Sequence, residues 1–119
     1  QADVLIVDII GLLTKIYSYA DIAYVGGGFA TGLHNTLEPA VFGIPVIIGP
    51  QYKGFDEAKN LVQAKGILSI ASENELENTL SQLLTHGSFR KETGDINARL
   101  LQSSKGATDE VIRYLKTIL

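Results

Sequence analysis

Cysteine is absent from this 119-residue chain, so it builds neither a disulfide nor a thiolate metal site. That leaves the compartment open, with cytoplasm as the default. No apolar run reaches the ~18–20 residues of a membrane span, and no basic-then-apolar signal pattern is present. Positive charge is scarce as well: the net charge is −3 and no arginine precedes Arg90, so there is no electrostatic footprint for nucleic acid. Serines 18, 69, 72, 81, 88, 103 and 104 lie in no G-x-S-x-G elbow, which argues against hydrolase chemistry. What remains is 45% apolar and 19% charged, an ordinary globular composition at a length for one domain.

Strand and helix patterns alternate with a repeat of roughly twenty residues, as in βα units. Val4–Asp8 reads as a buried strand, and Leu12, Leu13, Ile16 and Tyr19 follow with helical spacing. Ile22–Val25 is a second strand, and Thr36–Phe42 a short helix stopping at Gly43. Val46–Ile48 is a third strand, between Pro45 and Pro50. Ala58, Leu61 and Val62 mark a helix ending at Gly66, and Ile67–Ile70 is a fourth strand. Beyond it the pattern is helical. Ser72-Glu73-Asn74-Glu75 is a capping box ahead of a stripe of Leu76, Leu80, Leu83 and Leu84, closed by His86-Gly87. Phe89, Ile96 and Leu100 suggest another helix, and Thr108 caps a last one carrying Val111, Leu115, Ile118 and Leu119.

The expected fold is therefore α/β: a Rossmann-like parallel sheet of about four strands, flanking helices and a helical tail. Ligands of such sheets bind at the carboxyl ends of the strands. The loops at 9–12, 26–36 and 49–55 all follow strands and would share that edge. The sheet is small for a nucleotide-binding domain, and we expect residues 1–119 to be one domain of a larger protein, shortened on its amino-terminal side.

The richest stretch is Val25-Gly26-Gly27-Gly28-Phe29 followed by Gly32-Leu33-His34-Asn35-Thr36-Leu37-Glu38-Pro39. Glycine admits backbone N–H groups close to a ligand, and a helix N-terminus carries partial positive charge. Together they suit an anion such as a phosphate, with Glu38 placed to take sugar hydroxyls. The bland reading of the glycines is a plain turn, since the dinucleotide pattern with its acid about twenty residues on is missing. Asn35 and Glu38 have a structural competitor too. Asn-x-x-Glu is a capping-box spacing, but Pro39 biases Glu38 away from helical dihedrals, and a helix starting at Thr36 or later would free the carboxylate. His34 has no companion for a metal or a general base and is left unassigned. Asp8 ends a strand as in receiver domains, but the acidic pair and late lysine of that fold are missing. Lys15 and Lys53 are the few cations near the site, so backbone amides must do most of any phosphate binding.

Gly-Gly-Gly-Phe, then His34-Asn35-x-Leu37-Glu38-Pro39-Ala40, then Gly43-Ile44-Pro45-Val46-Ile47-Ile48-Gly49-Pro50 resembles the carboxyl-terminal domain of bacterial Kdo transferases. These are GT-B glycosyltransferases that move 3-deoxy-D-manno-octulosonic acid (Kdo) from CMP-Kdo to a lipid A precursor. The resemblance covers residues 4–70 well and the helical tail in outline. It implies nucleotide contacts at Ile10, Gly11 and Leu12 and at Asn35, Thr36, Leu37 and Glu38. It also implies metal-free, cofactor-free transfer with inversion, a catalytic base in a separate amino-terminal domain and no catalytic residue in this chain. The full-length protein would work at the cytoplasmic face of the inner membrane. Leu12 stands where many members carry a carboxylate, and Thr36 where many carry proline. The alternatives are a GT-B enzyme using a UDP-sugar and a non-catalytic nucleotide-binding module.

Overall fold

The computed structural model describes residues 16–29, 32–33 and 35–103. Among them the chain runs β1 (Ala23–Tyr24), α1 (Leu37–Val41), β2 (Val46–Ile48), α2 (Asp56–Ala64), β3 (Ile67–Ser69), α3 (Glu73–Thr85) and α4 (Gly87–Ser103). The strands form one parallel sheet in the order β1-β2-β3, with Ala23 opposite Val46 and Ile47 opposite Leu68. This is the expected α/β class with three strands among the described residues rather than about four. The strand expected at Val4–Asp8 lies outside the described residues, as do Leu12, Leu13 and the helix expected after Thr108.

β2 is the centre of the molecule because its three residues are apolar, β-branched and fully buried. Alternation sends them to opposite faces. Val46 and Ile48 pack with Val25, Ala40, Ala58 and Leu61 on one side, and Ile47 packs with Ile70 and Leu83 on the other. Each fully buried side chain of this size contributes about 1.5–3 kcal/mol of transfer free energy. α1 and α2 thus cover one face and α3 the other.

α4 joins the two layers. Its Leu101 belongs to the first cluster and its Phe89 packs against the second. The buried line along it is Thr93, Gly94 and Asn97, whereas Leu100, which helical spacing places in the stripe, is 38% exposed. The reason is close approach. A side chain on Gly94 would overlap the Gly43 carbonyl, so only glycine lets α4 settle on the turn after α1. Asn97 Nδ2 then donates to Ile44 O at 2.8 Å and to Gly66 O at 2.9 Å. Ile44 and Gly66 precede β2 and β3, so α4 is clamped across the amino edge of the sheet and leaves the carboxyl edge to the loops.

Helix ends follow local chemistry. Ser72 Oγ accepts from Glu75 N at 3.2 Å, the forward half of the expected capping box of α3, while Glu75 Oε1 reaches one residue beyond the N-cap and accepts from Ala71 N at 3.3 Å. His86 ends α3, its Nδ1 lying 3.3 Å from Gln82 O, while Gly87 already opens α4. Leu84, half exposed, falls off the apolar stripe. α2 ends at Ala64, two residues before Gly66: Lys65 at the C-cap takes the left-handed conformation (φ 72°), and Gly66 N closes on Leu61 O at 3.0 Å. Gly66 is needed for another purpose, since a Cβ there would collide with the Asn97 side chain.

Candidate functional site

The loops after the strands meet at the carboxyl edge. Val25 N donates to Ile47 O at 2.9 Å, extending the ladder, and the chain then breaks into the glycine run. Gly27 has φ +88°, and a side chain on it would overlap Gly32 O, so the loop folds back on itself. Gly28 lies against Gly49 of the next loop, and Gln51 N donates to Gly28 O at 2.7 Å. Ser69 Oγ, from the end of β3, donates to Gly49 O at 3.2 Å. Three successive strand ends are therefore tied into one surface, on which Phe29 stands 54% exposed. Lys53 is exposed on the second loop, as a solvated cation would be.

The start of α1 shows which of these side chains serves the cap. Asn35 Oδ1 accepts from Leu37 N at 2.8 Å and from Glu38 N at 3.3 Å. Thr36, 2% exposed, sits at the N-cap with helical dihedrals and makes no side-chain cap bond. Because the helix begins at Leu37, Glu38 is its second residue and does not reach back to close a box. Asn35 thus provides half of the capping box, and the carboxylate stays out of it. One expectation needs correction. Of the amides at the start of this helix, Leu37 and Glu38 are already bonded to Asn35, Pro39 has no N–H, and Ala40 N bonds Thr36 O at 3.3 Å. The helix start is closed by its own cap and does not offer a row of open donors.

Glu38 is 9% exposed, and its carboxylate has no hydrogen-bond partner among the described residues. Burial pushes its carboxyl above the usual range. Close by is Tyr17, half-buried, whose phenol is pushed up by burial first and by the Glu38 charge second. The Tyr17 ring packs on Phe42, centroids 6.0 Å apart and tilted by 44°. Glu38 and Phe42 are four residues apart and share one side of the α1 turn.

Of the residues expected at the site, the structure brings Asn35, Thr36, Leu37 and Glu38 together. Ile10, Gly11 and Leu12 lie outside the described residues, as does His34. Tyr17 was missed. Helical spacing marked its neighbours Ile16 and Tyr19, and nothing local links residue 17 to residue 38. Phe29 was readable as an apolar residue in a glycine loop, but not as an exposed one. Among the described residues no cluster of three or more His, Cys, Asp or Glu could hold a metal ion. No helix among them is long and apolar enough to cross a membrane.

Comparison with known proteins gives a consistent picture, although no family model matches the chain. The 3-deoxy-D-manno-octulosonic acid transferase of Haemophilus influenzae is 34% identical over 122 aligned residues, covering 100% of this chain and 29% of that protein. The transferase of the same name from Aquifex aeolicus is 39% identical over 87 residues, covering 71% of this chain and 25% of that protein. The chain thus spans under a third of the length of these curated relatives. Its fold resembles the crystal structure of the C-terminal CMP-Kdo binding domain of WaaA from Acinetobacter baumannii. The TM-score is 0.71 at 23% identity, over 81% of this chain and 51% of that one. The motif residues of the carboxyl edge and the homology that runs through the whole sequence agree: this chain belongs to the 3-deoxy-D-manno-octulosonic acid transferase family, as a segment of such a protein.

Proposed function

We propose that the chain is the larger part of the carboxyl-terminal, donor-binding domain of a glycosyltransferase that moves Kdo from CMP-Kdo to a lipid A precursor in lipopolysaccharide biosynthesis. The observation that carries the reading is Glu38. A nearly buried carboxylate without a partner among the described residues is costly, and such groups gather where a ligand supplies the missing donors. The vicinal hydroxyls of a ribose are two such donors. Asn35 spends its oxygen on the helix cap and keeps its amide nitrogen for the CMP phosphate. The remaining phosphate contacts fall to backbone amides at Ile10, Gly11 and Leu12. Thr36 and Leu37 shape the nucleotide edge.

The chain carries no residue for the chemistry itself. An acceptor hydroxyl attacks the anomeric carbon, the bond to the CMP phosphate breaks with its electron pair leaving on CMP, and the proton passes to a carboxylate of an amino-terminal domain. Neither a metal nor a cofactor takes part. Binding of the acceptor and work at the cytoplasmic face of the inner membrane belong to that longer protein, in keeping with relatives more than three times this length.

The test is an amide-resolved NMR titration of this chain with CMP, with UDP as control. Shifts at Gly11, Asn35 and Glu38 that favour CMP are expected. Tighter UDP binding at the same loops would keep the fold and change the donor. Transfer assays with the preceding domain restored separate the enzyme from a non-catalytic module, which would produce none.

A further inference from the structure

We propose that Phe29 is a specificity residue for the sugar of the donor, offering its exposed ring to the carbon-bound hydrogens on one side of Kdo. The assignment rests on the nucleotide reading above and extends it past the phosphate. Phe29 stands out on a loop of small residues, being large, apolar and 54% exposed at the carboxyl edge. Tyr52 and Phe55 of the neighbouring loop pack against the core instead. Yet Phe29 is not loosely held. A Cβ on Gly49 would stand 2.7 Å from Phe29 Cδ2, so the ring rests on the bare Gly49 backbone. The chain just before it is pinned twice, by Gly28 against Gly49 and by the bond from Gln51 N to Gly28 O at 2.7 Å. The ring is propped on one loop while more than half of the residue stays open to a ligand, which lowers the ordering cost of binding.

The chemistry of the ring narrows what it can meet. A phenyl group has no hydrogen-bond donor, and its face carries the negative end of the ring quadrupole, so it does not hold a phosphate or a carboxylate. It suits the positive edge of C–H bonds or the face of a base. Position decides between these two. Gly27 lies against Gly32 O and Leu33 Cα, two residues before Asn35, whereas Gly28 lies against Gly49. The glycine run thus stands between the cap of α1 on one side and Phe29 with Gly49 on the other. With Glu38 on the ribose and Asn35 on the phosphate, the donor runs along the start of α1 toward its cap. The unit met beyond the cap is the one past the phosphate. That unit is Kdo, while the cytosine lies at the other end, behind the ribose.

The experiment titrates the chain at pH 7 with freshly prepared CMP-Kdo and, separately, with CMP, following amide shifts. Phe29→Ala is expected to weaken CMP-Kdo binding about fivefold, the scale of one aromatic contact, and to leave CMP binding unchanged. Phe29→Tyr keeps the ring and keeps the wild-type affinity for both. Unchanged CMP affinity also shows that Phe29→Ala is folded, so its loss of CMP-Kdo reads as a lost contact. In the wild-type complex, NOEs are expected from the Phe29 ring protons to carbon-bound protons of Kdo, and these decide the matter even where Phe29→Ala does not fold. CMP-Kdo affinity that is the same in Phe29→Ala and wild type overturns the proposal, as does a wild-type complex without those NOEs. Equal losses of CMP and CMP-Kdo, with NOEs from Phe29 to the cytosine protons, overturn it in favour of base stacking. Wild type that binds neither ligand removes the nucleotide reading and this assignment with it, whereas wild type that binds CMP but shows no Phe29 contact to Kdo removes the assignment alone.

Discussion

Gly28 and Gly49 lie backbone against backbone, so close that a Cβ on Gly28 would stand 2.5 Å from the Gly49 amide nitrogen. Neither has a positive φ, so the demand is for space alone. Gly28→Ala or Gly49→Ala is expected to push the two loops apart and cost about 1–3 kcal/mol. Urea denaturation reads the loss, and the Gln51 amide, bonded to Gly28 O at 2.7 Å, should lose its hydrogen-exchange protection first.

Asn35 holds the cap of α1 and, on the proposed reading, also meets the phosphate; two substitutions separate the two roles. Asn35→Ala removes the oxygen that holds the Leu37 and Glu38 amides and should cost about 1 kcal/mol. Asn35→Asp restores the cap, so stability returns, but it sets a negative charge where a phosphate is expected. Urea midpoints that recover in Asp while CMP affinity does not would establish both roles.

On the proposed reading, Glu38 costs stability that its ribose contact would offset. Its carboxyl titrates above the ordinary value in the folded chain, so the folded state holds a proton that the unfolded state has already released. Stability therefore falls as pH rises from the unfolded value through the folded one, and stays lower at neutral pH. Glu38→Gln should raise the thermal midpoint at pH 7, flatten the pH dependence across that window, and leave stability at acid pH unchanged. The same variant should weaken CMP binding about tenfold or more, the scale for a hydrogen bond to a charged group. A variant less stable than wild type at pH 7 would contradict the desolvation argument.

Asn97 holds α4 to the amino edge; its loss takes the side-chain donor from Ile44 O and leaves Gly66 O with only the Val46 amide at 3.4 Å. Asn97→Ala is expected to cost about 1–3 kcal/mol. Asn97→Asp should cost more, because it replaces the donor with a buried negative charge facing Ile44 O and Gly66 O. Denaturant midpoints measure both, and an unchanged m-value shows that the comparison is between folded chains. CMP binding by the folded fraction should be unaffected, since the clamp lies at the edge opposite the loops.

Much of the architecture needed only neighbours along the chain. Val46–Ile48 is a β-branched run short enough to be a strand and apolar on both faces, and it is the fully buried centre of the sheet. The forward half of the Ser72–Glu75 capping box forms between residues three apart, so its geometry is written in its spacing. The loops share one edge because parallel strands joined by helices leave no other arrangement. The motif Asn35–Glu38 was likewise visible, but not its outcome. Whether Glu38 closes a box or stands free depends on a one-residue difference in where α1 begins, and packing of the buried Thr36 settles that. The tertiary structure alone decided what residues remote in sequence do. Asn97 bonds carbonyls 53 and 31 residues away, Gly94 makes room for Gly43, and Tyr17 reaches α1 across β1 and the glycine loop. No period of 2 or 3.6 encodes such contacts, because they come into being only once the sheet has brought its two edges into place.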